Sequence, residues 1–166
     1  TDVGGVAGNN GGTITNCCNT GAVSGDRSFV GGVAGYNQKG KITKCYNSGA
    51  VSGSDYLVGG VAGSNDYGET TNCYYDKTSS AVVIGVCHQQ DDPAAVTGLT
   101  TSQMTGEEAI GENHMDFTYA EGEENPWLVK SNGIDKASGE YYEYYPHLKG
   151  FNLDSEGKQL KAKDIT

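Results

Sequence analysis

The chain has 166 residues, 26 of them glycine, and its 21 acidic against 11 basic side chains give a net charge of −10. This acidic balance disfavours nucleic acid as a partner, because phosphate backbones require concentrated positive charge. No uncharged apolar run approaches the roughly 20 residues of a membrane-spanning helix, so membrane insertion is not expected either.

An internal repeat occupies the first half of the chain. The sequence VGGVAG at residues 3–8 returns at 30–35 and again at 58–63. A second block at 12–25 returns at 40–53 with ten of its 14 positions identical, and a shorter third copy covers 68–76. Stacked structural repeats produce self-similarity of this kind. The repeat therefore predicts an architecture built from layers about 28 residues long.

The residue types favour strands over helices, because glycine, threonine, valine and tyrosine replace the usual helix formers. Each repeat holds three short β-branched or apolar runs separated by glycine, asparagine and serine. We therefore predict an all-β fold, a right-handed parallel β-helix of three coils of about 28 residues. The right hand follows from the general rule for parallel crossovers. The repeated glycines are expected to supply positive φ at the corners.

Side chains one repeat apart should lie above one another in such a stack, about 4.8 Å apart. Four columns are predicted from the identical positions: an isoleucine column, a valine column, a cysteine column and an asparagine column. Their members are Ile14 and Ile42; Val23 and Val51; Cys17, Cys45 and Cys73; and Asn19 and Asn47. The first three should face inward, and the asparagines should form an amide ladder at a corner.

The remaining two cysteines are Cys18 and Cys87. Cys18 occupies the position that Tyr46 and Tyr74 take in the later copies, so it is expected to point outward. The sequence leaves open whether these two cysteines form a disulfide bridge or remain free thiols. No Cys-x-x-Cys spacing occurs, so neither a zinc site nor a redox motif is predicted.

Of all the residues in the sequence, the tyrosines most strongly indicate a ligand-binding surface. Two of them hold equivalent repeat positions and should form an outward stack, while others lie on nearby loops beside an aspartate. The five predicted ligand-binding residues are Tyr36, Tyr46, Asp55, Tyr56 and Tyr74. Outward aromatic rings on a rigid wall suit sugar rings or the apolar groups of a partner. The alternative is a tyrosine ladder that only packs at the solvent edge.

The composition changes after residue 76. We predict three segments: a repeat domain at 1–76, a C-terminal mixed α+β cap at 77–153, and a tail at 154–166 that is a frayed end or leads into another domain. In the cap, strands are expected at 81–86, 127–130 and 141–145, with the last two joined through 131–139. A polar loop is expected at 88–93 and one or two short helices within 101–111. The chain begins in mid-pattern, so it is expected to continue upstream into a larger polypeptide.

The repeat resembles the GLUG motif, through VGGVAG followed by Thr-Ile-Thr-x-Cys-Tyr-Asn-x-Gly-x-Val-x-Gly. Looser similarity to the segment that follows such repeats covers residues 98–148. The motif recurs in bacterial surface proteins, including proposed adhesins and the non-catalytic repeats of some immunoglobulin A-cleaving peptidases. The resemblance implies an extracellular protein, secreted or wall-attached, with adhesion to a host glycoprotein or glycan. Valine replaces the eponymous leucine at Val6, Val33 and Val61.

No catalytic site, metal site or cofactor is predicted. His88, His114 and His147 lack zinc-ligand spacing, and no His-Glu-x-x-His occurs. The serious alternative is a fragment of a carbohydrate-active β-helix enzyme, which needs paired carboxylates on one face. Asp26 and Asp55 come nearest to such a pair. A third hypothesis is an accessory region of an immunoglobulin A-cleaving metallopeptidase whose catalytic domain lies elsewhere.

Overall fold

A computed structural model describes residues 1–26, 29–54, 57–80, 84–90, 96–107, 109–111, 114–129, 133–134, 141–142 and 145–149. The chain divides into two compact units, Thr1–Thr101 and Ser102–Thr166. The described residues are almost entirely β-structure, with parallel sheets in the first unit. They contain no helix with the length and hydropathy needed to cross a membrane.

Three successive sequence copies contribute the first fourteen strands of the first unit. Copy 1 holds β1 (Val3–Gly4), β2 (Ala7–Asn10), β3 (Thr13–Thr15), β4 (Cys18–Asn19) and β5 (Val23–Gly25). Copy 2 holds β6 (Val30–Gly31), β7 (Ala34–Gln38), β8 (Lys41–Thr43), β9 (Tyr46–Asn47) and β10 (Val51–Gly53). Copy 3 holds β11 (Val58–Gly59), β12 (Ala62–Asp66), β13 (Glu69–Thr71) and β14 (Cys73–Asp76).

Equivalent strands of the copies pair in parallel. The sheet orders β1-β6-β11, β2-β7-β12, β3-β8-β13 and β4-β9-β14 each take one strand from every copy, and β5 pairs with β10. Ile14 lies opposite Ile42, and Val23 lies opposite Val51. The predicted register between repeats is therefore confirmed, and so are the all-β class and the parallel sheets.

The inner columns form the core of the first unit. Ile42, Cys45 and Cys73 are fully buried, and Cys17 packs partly buried against the same cluster. Val23 and Val51 belong to a smaller cluster. The predicted inward isoleucine, valine and cysteine columns are thus confirmed. Burial of such side chains contributes roughly 1.5–3 kcal/mol each.

Two asparagine ladders support the corners. The predicted one is confirmed, because the Asn19 amide donates to Asn47 Oδ1 at 2.8 Å. The second was not predicted: Asn10 Nδ2 donates to Asn37 Oδ1 at 2.7 Å, and Asn37 Nδ2 donates to Asn65 Oδ1 at 2.6 Å. The asparagines of this second ladder also bond the backbone of their own corners. The side chains thereby satisfy turn groups that no strand pairs.

The glycines of the repeat act through close packing, which corrects the prediction of positive φ. Among the described residues of the three copies, positive φ falls on non-glycine residues, namely Asn16, Lys39, Lys44, Tyr67 and Asn72. A Cβ on Gly31 would lie 2.0 Å from the Ala34 carbonyl oxygen. A Cβ on Gly32 would lie 2.2 Å from the Gly60 carbonyl oxygen. Only a residue without a side chain fits these approaches.

The parallel sheets extend beyond the predicted boundary at residue 76. Strand β15 (Val86–Gln90) pairs with β12, and β16 (Val96–Leu99) pairs with β14. The predicted polar loop at 88–93 is therefore wrong at its start, where residues 88–90 form strand. The pairing uses main-chain groups of copy 3 that a sheet edge would otherwise leave open, and Val86 and Val96 also pack in the core of the first unit. Residues 81–83 and 91–95 lie outside the described part.

The second unit has little regular structure among its described residues. The helix α1 (Thr101–Met104) is a single turn at the boundary, shorter than the helices expected within 101–111. Strand β17 (Trp127–Leu128) pairs antiparallel with β20 (His147–Leu148), and β18 (Gly133–Ile134) pairs with β19 (Tyr141–Tyr142). Strands are thus present at both predicted places, near 127 and 141, and the segment that joins them contributes β18, the partner of β19. The tail at 154–166 lies outside the described residues.

Candidate functional site

The predicted stack of Tyr46 and Tyr74 exists but is buried. Their strands pair in register, and the two side chains are only 0% and 7% exposed. The expectation that they face solvent is wrong, because burial of a large aromatic ring is favourable and the ladder packs rather than displays its rings. Asp55 and Tyr56 lie outside the described residues, so their predicted role stays a prediction.

Tyr36 is the predicted binding residue that the structure leaves accessible. It lies on β7 beside Asn37, which joins the buried amide ladder. Adjacent residues of a strand point to opposite faces, and Tyr36 is partly exposed. Its ring stacks on that of Phe29, with centroids 5.2 Å apart and planes inclined by 24°. Both rings are partly exposed. We call Phe29 and Tyr36 the aromatic platform.

A hydrogen bond holds the platform in place. The Tyr36 hydroxyl donates to Asp66 Oδ2 at 2.7 Å. Ionisation of the phenol would lose this bond and set two negative charges together, so the Asp66 contact raises the pKa of Tyr36 above its ordinary value. The other oxygen, Asp66 Oδ1, is buried and has no hydrogen-bond partner among the described residues.

The residues around the platform differ from copy to copy. Register places Asn9 in copy 1 and Ser64 in copy 3 beside Tyr36. His88 of β15 follows Ser64, with its Nδ1 3.3 Å from the Ser64 hydroxyl oxygen. Asn9, Tyr36, Ser64 and His88 thus form one column across four neighbouring strands, and Tyr36 is its one aromatic phenol among small polar groups and an imidazole.

The copy that bears the platform is also the one that matches a known family. The family model of the GLUG motif covers residues 29–52, which include the first four strands of copy 2 and all but the last residue of the fifth. The chain carries a GLUG motif. The resemblance noted from the sequence is thereby confirmed. No curated protein and no solved structure matched the chain.

Two thiols of the cysteine column around this GLUG motif have raised pKa values. All five cysteines are described and none is in a disulfide. The pKa of Cys45 is raised to about 12, since the lowering contact with Cys17 is outweighed by the contact with Cys73 and by burial. The contact with Cys45, followed by burial, raises the pKa of Cys17. Burial also raises the pKa of Cys18, against a lowering contact with Tyr46. Thiolate chemistry is therefore suppressed at Cys17, Cys18 and Cys45.

The carboxylates of copy 3 are engaged in structural contacts. Asp66 accepts the Tyr36 hydroxyl, and Glu69 forms a 3.0 Å ion pair with Lys41 between exposed side chains. Asp76 is fully buried and accepts hydrogen bonds from Thr78 N, Ser79 N and Thr101 Oγ1 at 2.7, 3.2 and 2.6 Å.

The three histidines occupy separate elements. His88 lies on β15, His114 in the segment between α1 and β17, and His147 on β20. Among the described residues, no group of three histidine, cysteine or acidic side chains has the arrangement of a metal site. Of the pair considered for catalysis, Asp26 is described and Asp55 is not.

Proposed function

We propose that this chain is a non-catalytic repeat module of a secreted or wall-attached bacterial surface protein, and that it mediates adhesion from a rigid stalk. We further propose that its parallel sheets wind as a right-handed β-helix of three coils of about 28 residues, followed by a C-terminal mixed α+β unit. Each array of three strands takes one strand from every copy, and this arrangement supports the winding.

The observation that carries the proposal is the contrast between inner and outer positions of the same strands. The inner columns repeat, as Ala34 and Ala62 do on β7 and β12. The outer positions change, and only copy 2 places an aromatic pair there. A constant scaffold with a variable surface is the arrangement that repeat proteins use for binding.

The engagement of the carboxylates supports a non-catalytic role. A glycoside hydrolase requires two carboxyl groups that flank a substrate bond, one to donate a proton and one to assist attack. Here Asp66 and Asp76 are committed to hydrogen bonds and Glu69 to an ion pair. The carbohydrate-active enzyme thus has less support than the binding module.

The test uses the whole 166-residue chain in two parallel assays. Beads that carry the chain are washed over surfaces coated with host mucin, and the same preparation is incubated with soluble polysaccharides while reducing ends are counted. We expect retention of the beads on mucin without new reducing ends. Polysaccharide cleavage would overturn the non-catalytic assignment, and beads that wash off mucin as readily as protein-free beads would overturn adhesion.

A further inference from the structure

We propose that the aromatic platform of Phe29 and Tyr36 is a carbohydrate subsite that binds the apolar face of an uncharged pyranose ring. This inference rests on the proposed adhesive function and assigns its ligand class. A pyranose in which the ring hydrogens point to one face presents an apolar surface that can cover an aromatic ring, while its hydroxyl groups remain at the edge.

The platform is fixed before any ligand arrives. The stack on Phe29 restrains the Tyr36 ring from one side, and the 2.7 Å bond to Asp66 holds its hydroxyl end. Both ring-bearing residues sit on or beside paired strands of copy 2, because Phe29 directly precedes β6 and Tyr36 lies within β7. Preorganisation of this kind lowers the entropic cost of binding.

The surroundings of the platform offer hydrogen-bonding groups of the type that hydroxyls use. Asn9 lies exposed next to Tyr36 in the neighbouring strand, and Gln38 is exposed two residues along β7. His88 is exposed on β15, in the same column. Amides and imidazoles both donate and accept, so they can match hydroxyl groups of either orientation.

Comparison of the copies isolates this position as the specialised one. Phe29 and Tyr36 correspond to Asp2 and Asn9 in copy 1 and to Leu57 and Ser64 in copy 3. The core-facing alanines beside them stay alanine in all three copies. Rings on both outer positions are therefore not required by the scaffold, which folds around other residues in copies 1 and 3.

The charges at the platform favour a neutral ligand over a cation. Aromatic rings attract cations, and a nearby carboxylate commonly completes such a site. At this site, however, Asp66 Oδ2 accepts the Tyr36 hydroxyl and Oδ1 is buried away from the surface. The two rings are also stacked on each other, with planes inclined by 24°, so they do not form the facing walls of a cage around a cation.

Saturation-transfer NMR on the whole chain tests the proposal with three probes: methyl β-galactopyranoside, methyl β-glucopyranoside and N-acetylglucosamine. We expect transfer to the ring hydrogens of at least one probe. Tyr36→Ala should weaken that binding roughly tenfold, as expected for the loss of a stacked aromatic contact. Tyr67→Ala is the matched control, since Tyr67 is a tyrosine 61% exposed outside the platform.

A second pair of variants keeps the test decisive if Tyr36→Ala fails to fold. Phe29→Leu should weaken binding while it preserves the apolar residue that copy 3 has at this position. Tyr36→Phe keeps the ring but removes the bond to Asp66, so it should retain most of the affinity. Folding of each variant is checked by circular dichroism.

Three outcomes would overturn the subsite. Unchanged affinity in Tyr36→Ala and Phe29→Leu would place sugar binding elsewhere and leave the adhesive function standing. Transfer to tetramethylammonium, but to none of the sugars, would make the platform a cation site. If the wild-type chain is retained on mucin but gives no transfer with any probe, the subsite is refuted while the adhesive function stands.

Discussion

Strand β8 sets two environments side by side. Ile42 is fully buried in a column that begins with Ile14, whereas Lys41 is exposed and has threonine and glutamate as its neighbours in the other copies. The inner position thus keeps its size and hydrophobicity between the first two copies, and the outer position changes even its charge. Packing constrains the inner position because core side chains fill space closely, while solvent tolerates many outer residues.

The largest expected effect lies on the inner side. Ile42→Ala should lower the free energy of unfolding by about 3 kcal/mol, because it removes buried methyl groups and leaves a cavity. Thr13→Ala, an exposed residue on the other face of the neighbouring strand β3, should change it by less than about 0.5 kcal/mol. Urea denaturation of the whole chain, followed by circular dichroism, measures both. Similar losses in the two variants would contradict the distinction between the faces.

Close packing of the backbone should be nearly as sensitive. Gly32→Ala is expected to cost about 2–3 kcal/mol, because its Cβ would lie 2.2 Å from the Gly60 carbonyl oxygen and the sheets must shift. Gly21→Ala serves as control, since the nearest atom to its Cβ would be 3.7 Å away. If both variants melt at the same temperature, close approach does not explain the glycines of the repeat.

The unpredicted amide ladder gives an effect of intermediate size. Asn37→Ala should lower the free energy of unfolding by about 2 kcal/mol, because it leaves the buried Asn65 Oδ1 without the donor it has at 2.6 Å. Asn10→Ala, at the end of the ladder, should cost less because Asn10 bonds only one other asparagine. Denaturation midpoints in the reverse order would show that the ladder is not a stabilising network.

One inner position is expected to improve on substitution. Thr70 continues the column of Ile14 and Ile42, and its buried hydroxyl has no hydrogen-bond partner among the described residues. Thr70→Val keeps the shape and removes the unsatisfied group, so the free energy of unfolding should rise by about 1 kcal/mol. A decrease in thermal stability would mean that the hydroxyl is satisfied in solution.

The smallest effect concerns the outer face and depends on pH. The pKa of Tyr36 is raised in the folded chain by its bond to Asp66, so the bond stabilises the fold below the ordinary tyrosine pKa of about 10. That contribution is lost as the pH rises through the raised pKa. Asp66→Asn should return the pKa towards its ordinary value. Ultraviolet difference titration against Tyr36→Phe isolates the group, and an unchanged pKa in Asp66→Asn would refute the assigned cause.

Features carried by repeated side chains were predictable from the sequence. The columns of Ile14 with Ile42 and of Asn19 with Asn47 follow from identical residues at a constant spacing. The second ladder escaped prediction although Asn10, Asn37 and Asn65 each stand two residues after VGGVAG, because the residues around them differ between the copies. Strands β15 and β16 escaped it because main-chain pairing leaves little trace in side-chain identity.

The candidate site was predicted only in part, for a related reason. Tyr36 could be chosen as an aromatic residue on the repeat, but its partner Phe29 stands across a turn in a non-repeated position. For Tyr46 and Tyr74, alternation along the strand gives a direction but does not reveal whether other residues cover that face. Contacts between distant parts of the chain decide exposure, and a periodic pattern contains no information about them.

The difference in spacing between the copies has a practical consequence. Asn10 pairs with Asn37 at an offset of 27, and three residues later Thr13 pairs with Lys41 at 28. The corner at residues 38–40 absorbs the additional residue without displacing the strands on either side. The strands on both sides of this corner therefore stay paired when the corner changes length. The corner is thus a suitable place to insert a foreign epitope for display.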